Sequence, residues 1–216
     1  MTFTRKSIVA LIGAGLLSLG IAFSNHVEAK TLTVLVDVSK SNPYLTNEAM
    51  SKAMTLQVID ALSTLSQGDE VIVQTVGSLH ASQNLENLRL VIKRHNRQSV
   101  SKALAKYLLT LPKQVEAQGS TNLIAWFGRH APNCEAGSIV IVLSDAIEAS
   151  EYVDSASLLS GKQALPEPHQ YVALKGCTVR FIGLGAGRSD KEAHTLRQAW
   201  QRYIELAGAE FKAVLL

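Results

Sequence analysis

Short apolar runs alternate with longer amphipathic stretches along this chain, and that alternation limits the possible folds more than any other feature. Residues 32–36, 70–76, 138–143 and 179–184 read as strands, and residues 88–93 and 210–215 as two further ones, the former at an edge. Residues 46–65 place Ala49, Ala53, Leu56, Ile59, Ala61, Leu62 and Leu65 at helical spacing behind a Thr46 or Asn47 cap. Residues 100–111, 122–130 and 191–207 are helical by the same test. Strands as apolar as SIVIVL are buried on both faces, which places them in a parallel sheet with helices on either side. The expected fold class is α/β, a doubly wound domain of about six strands. The cluster Lys93-Arg94-His95-Asn96-Arg97 reads as a solvated edge that discourages strand addition. Residues 146–176 must hold a crossover, yet carry Gly161, Pro166 and Pro168; a short helix at 155–163 followed by a loop is expected there. That stretch is either an irregular surface connection or a partner-specific rim.

The N-terminus reads as an address. Arg5 and Lys6 precede residues 7–24, which carry no charge, and Val27-Glu28-Ala29 places small residues where a signal peptidase cuts. Residues 1–29 are thus expected to be a cleavable signal peptide and residues 30–216 a single domain, periplasmic or secreted; an uncleaved membrane anchor is the alternative. The net charge of only +3 provides no broad positive field, so nucleic acid is not an expected partner. In an oxidising compartment the two cysteines, Cys134 and Cys177, are expected to pair: each lies just ahead of a strand, at one end of the sheet if those strands are parallel neighbours.

Chemistry gathers at two strand ends. The first strand runs into Asp37-Val38-Ser39-Lys40-Ser41, a carboxylate followed by two hydroxyls at alternate positions. Thr121 stands in the loop 119–122 ahead of a helix, and residues 139–143 run into Ser144-Asp145. In open α/β sheets ligands collect beyond the strand ends where strand order reverses. Carboxylate and hydroxyl oxygens without His or Cys suit Mg²⁺, with Mn²⁺ or Ca²⁺ possible, rather than zinc or copper.

With these residues in place the sequence resembles the von Willebrand factor type A (VWA) domain and its metal-ion-dependent adhesion site (MIDAS). The family pattern of Asp-x-Ser-x-Ser, a later Thr and an Asp after the fourth strand falls on Asp37, Ser39, Ser41, Thr121 and Asp145. The resemblance implies a Rossmann-like sheet of order 3-2-1-4-5-6 with one antiparallel edge strand. It further implies that Ser39, Ser41 and sometimes Thr121 touch the metal, that Asp37 and Asp145 act through water and hydrogen bonds, and that a partner protein's Asp or Glu completes the coordination. The expected function is an exported adhesion or assembly module without catalysis.

Two other readings compete. A haloacid-dehalogenase-like phosphatase also places aspartates after its first and fourth strands, as Asp37 and Asp145 stand here, but it needs an acidic residue where this chain has Ser39. A structural subunit of an envelope complex would bind by another surface. No Gly-x-Ser-x-Gly elbow or phosphate-binding P-loop is present. Gly183-x-Gly185-x-Gly187 reads as a turn at a strand end, and Trp126 and Trp200 as core.

Overall fold

The computed structural model describes residues 29–78, 88–129 and 134–216; all of the expected signal peptide except Ala29 lies outside them. Six strands form one sheet: β1 (Thr31–Asp37), β2 (Glu70–Val76), β3 (Leu88–Val91), β4 (Ile139–Leu143), β5 (Thr178–Ile182) and β6 (Glu210–Val214). Their order is β3-β2-β1-β4-β5-β6. All neighbours are parallel except β2 and β3, so the antiparallel strand is at an edge. This is the expected doubly wound α/β sheet, and its order reverses between β1 and β4.

Helices α1 (Pro43–Thr46), α2 (Glu48–Ser63) and α3 (Arg97–Thr110) cover one face, and α4 (Leu123–Arg129), α5 (Ser155–Leu159) and α6 (Asp190–Leu206) the other. β1 feeds both cores, because side chains alternate along a strand. Leu32, Val34 and Val36 pack with Met54, Val58 and Leu104, while Leu35 joins Phe127, Phe181 and Trp200. Trp126 and Trp200 are core residues, and each spends its indole N–H inside the fold: Trp126 on Gln74 Oε1 (2.9 Å), Trp200 on the Ala146 carbonyl (2.8 Å).

Several elements differ from expectation. The first expected helix is α2, capped as expected by Asn47, whose side chain accepts the Met50 N–H; the short α1 ahead of it was not expected and is capped by Asn42, which accepts the Tyr44 N–H. α3 starts at Arg97, ahead of the expected residue 100, and Arg97, though exposed, is not free in solvent. Its guanidinium donates to the Ser63 and Leu65 carbonyls at the end of α2, a cation closing a helix C-terminus. The crossover after β4 holds only the five-residue α5 and is otherwise irregular, though Val172 and Leu174 are buried. Glycines 183, 185 and 187 all have positive φ. At Gly185 a Cβ would also stand 2.6 Å from that of Ala193, so the turn into α6 requires glycine.

Cys134 and Cys177 form a disulfide at the N-terminal ends of β4 and β5, away from the ends that carry the candidate site. Among the described residues no helix is long and apolar enough to cross a membrane. The disulfide spans 43 residues of sequence. Replacing both cysteines by serine is expected to lower the unfolding free energy by about 3–4 kcal/mol, measured by urea denaturation under non-reducing conditions. An unchanged midpoint would show that the bond is absent in solution.

Candidate metal centre

All five predicted site residues lie at the C-terminal edge of the sheet, where β1 and β4 part. Asp37 ends β1 and is fully buried. Its Oδ1 accepts the Ser39 N–H (2.8 Å) and its Oδ2 the Ser144 hydroxyl (2.6 Å), so both oxygens are fixed by residues just beyond the ends of β1 and β4. Burial pushes its carboxyl up to about 7, opposed by the Ser144 bond and assisted by the negative charge of Asp145. Ser39 and Ser41 follow on the same loop with Oγ atoms 3.2 Å apart; Ser39 is buried and Ser41 exposed.

Asp145 is buried one residue beyond Ser144, and burial raises its carboxyl; the Ile147 N–H, the Ser41 hydroxyl and the Arg188 charge pull the other way. Its Oδ1 accepts the Ile147 N–H (3.2 Å), a turn that Ala146 completes at φ 62°. That left-handed conformation costs a non-glycine residue on the order of 1 kcal/mol. It is held by the Ala146 N–H on Ser144 Oγ (2.8 Å) and by Trp200 on the Ala146 carbonyl.

Thr121 arrives from a third loop, joined to the other two by backbone bonds. Gln118 N–H donates to Val38 O (2.8 Å) and Lys40 N–H to Gln118 O (2.9 Å), tying this loop to the Asp37–Ser41 segment. Thr121 and Ala149 exchange both of their backbone bonds, at 3.3 and 3.0 Å, which ties it to the Asp145 segment. The three loops thus form one closed set, with Thr121 itself buried.

Sequence reasoning left three contributors without a role. Asn42 is fully buried; its amide donates to the Asp37 carbonyl (2.6 Å) and the Leu143 carbonyl (2.9 Å), while its Oδ1 accepts the Tyr44 N–H (3.2 Å). Its place before Pro43 marks a helix cap, which is the only local signal it carries. Ser144 is the hydroxyl that fixes Asp37. Glu148, fully buried, accepts the Leu123 N–H (2.9 Å) and the Ile124 N–H (3.4 Å) through Oε2. Burial pushes this carboxyl up to about 7.

The donors fit a small divalent cation. They are hard oxygens, three hydroxyls and two carboxylates, and neither buried carboxylate makes an ion pair among the described residues. Nor does any group of three or more His, Cys, Asp or Glu converge among the described residues, so this mixed set is the one to consider.

No family model matches the sequence, and no curated protein is similar to it at a significant level. Solved structures do resemble it. One is a von Willebrand factor type A protein from Catenulispora acidiphila, with a TM-score of 0.45 and 18% identity over 87% of this chain and 39% of that one. Another is the pilus adhesin SpaC from Lactobacillus rhamnosus GG, at 0.45 and 13% over 88% of this chain and 28% of that one. A third is the manganese-loaded TRAP protein of Plasmodium vivax, at 0.43 and 19% over 86% and 69%. This chain therefore spans well under half the length of the first two.

Glu148 makes stability depend on pH. Its carboxyl ionises near 4.5 when unfolded and near 7 when folded, so the folded state holds an extra proton between those values. Stability should therefore fall as pH rises from about 4.5 to about 7, with a slope of up to about 1.4 kcal/mol per pH unit from this group. In EDTA, Glu148→Gln should reduce the slope of the urea-derived stability in that window, leaving the share that Asp37 contributes in the same direction. An unchanged slope would mean that Glu148 is ionised in the folded state.

Proposed function

We propose that this protein is an exported, non-catalytic VWA-type binding module that engages an acidic residue of a protein partner through a divalent cation. The observation that carries the reading is the meeting of Asp37, Ser39, Ser41, Thr121 and Asp145 on three hydrogen-bonded loops at the switch between β1 and β4. Ser39, Ser41 and Thr121 would hold the ion through their hydroxyls. Asp37 and Asp145 would balance its charge from behind, Asp37 with both oxygens already engaged by Ser39 and Ser144. Neutral inner ligands leave a bound cation under-neutralised, so it supplies a strong charge-assisted contact for an incoming Asp or Glu. Mg²⁺ is the expected ion, with Mn²⁺ as its closest substitute.

The hydrogen bonding also bears on the phosphatase alternative. Each Asp37 oxygen already accepts one hydrogen bond, and the position two residues on, where a phosphatase of this kind needs its general acid, is Ser39, which cannot serve near neutral pH. Export is supported by the uncharged stretch 7–24 and by the disulfide, which persists in an oxidising compartment.

Calorimetric titration of Mg²⁺ and Mn²⁺ should show one site in the wild-type protein and none in Asp145→Ala. A partner captured from envelope extract should be released by EDTA and should fail to bind the variant. Partner capture that is indifferent to EDTA and to the substitution would move the interface to another surface.

A further inference from the structure

We propose that Asn42 is a positioning residue that sets the width of the cation site and so makes it select Mg²⁺ over Ca²⁺; the inference rests on the cation-dependent reading above. β1 and β4 are paired up to Val36 and Leu143, and beyond that point their chains separate to carry Asp37–Ser41 on one side and Ser144-Asp145 on the other. The Asn42 amide lies in this fork. One carboxamide donates to the carbonyl of Asp37 and to that of Leu143, at 2.6 and 2.9 Å, across 101 residues of sequence to the latter. Its oxygen is used by the Tyr44 N–H, so the amide has one possible orientation: two acceptors face its nitrogen and one donor its oxygen.

The clamp works on backbone atoms of Asp37 itself and of the residue two before Asp145. The side-chain bond from Ser144 to Asp37 spans the same fork. A change in the gap between the two segments would therefore have to break bonds that are wholly buried, and unmet polar groups there are costly.

Mg²⁺ demands near-ideal octahedral geometry with short bonds and keeps several waters, whereas Ca²⁺ takes more oxygens at longer and more variable distances, often from bidentate carboxylates. Each Asp37 oxygen and Asp145 Oδ1 already accept a hydrogen bond that fixes their direction, so swinging either carboxylate into a bidentate grip would break those bonds. A fixed gap between carboxylates of fixed direction suits the smaller ion. Loosening the gap should penalise Mg²⁺ and leave Ca²⁺ nearly unaffected.

The test is titration of Mg²⁺ and of Ca²⁺, each alone, into wild type, Asn42→Ala and Asn42→Ser, with thermal melting of each protein in EDTA. Serine keeps one donated bond and serves if the alanine variant does not fold. Wild type should favour Mg²⁺ by at least about tenfold, and the variants should lose about 10- to 100-fold in Mg²⁺ affinity while Ca²⁺ affinity changes by less than about threefold. Wild type that binds the two ions equally, or folded variants that lose both in parallel or keep the wild-type ratio, would overturn the role of Asn42 alone. Absence of divalent-ion binding to wild type would overturn it together with the underlying reading.

Discussion

A carboxylate buried at the end of the central strand sets the terms for everything around it. Asp37 has no exposed surface, and burial alone pushes its carboxyl toward neutral pH. It persists there because Ser39 N–H and Ser144 Oγ–H each occupy one of its oxygens. The first bond is local, but the second comes from the residue that follows β4, so satisfying Asp37 requires β1 and β4 to be adjacent and in register. The same condition places Ser39, Ser41 and Asp145 around a common point.

From that point the arrangement spreads through backbone hydrogen bonds. Gln118 ties the Thr121 loop to the first segment, and Ala149 ties it to the second. Glu148 fixes the first turn of α4 behind Thr121, and Trp200 of α6 holds the carbonyl of the strained Ala146. Side chains with no direct place in the candidate site thus decide how its oxygens are presented, as is common where a buried shell orients metal ligands. The disulfide acts at the opposite end of the sheet and stabilises the fold without touching the site.

How much of this was legible in the sequence follows from the range of the interactions. β1 and β4 were plain because strands buried on both faces must be apolar throughout. The five oxygen donors were visible as a pattern at strand ends, and the structure places them on three joined loops. Asn42 was not, since its partner Leu143 lies 101 residues away and nothing local announces that contact. Glu148 was missed for the same reason: its acceptor role depends on α4 being folded against it, 25 residues distant. The short α1 ahead of the expected first helix turns on a cap, where the Asn42 side chain accepts the Tyr44 N–H before Pro43. The left-handed backbone at Ala146 carried no signal at all, because alanine is not a residue that advertises it.

The central claim is that a divalent cation sits where β1 and β4 part. Diffraction from crystals grown in Mn²⁺, with anomalous data collected at the manganese edge, tests it most directly. The expected result is one strong anomalous peak within coordination distance of the Ser39 and Ser41 hydroxyls, with Thr121, Asp37 and Asp145 around it. A peak elsewhere on the protein, or none at this position in Mn²⁺-saturated crystals, would contradict the account.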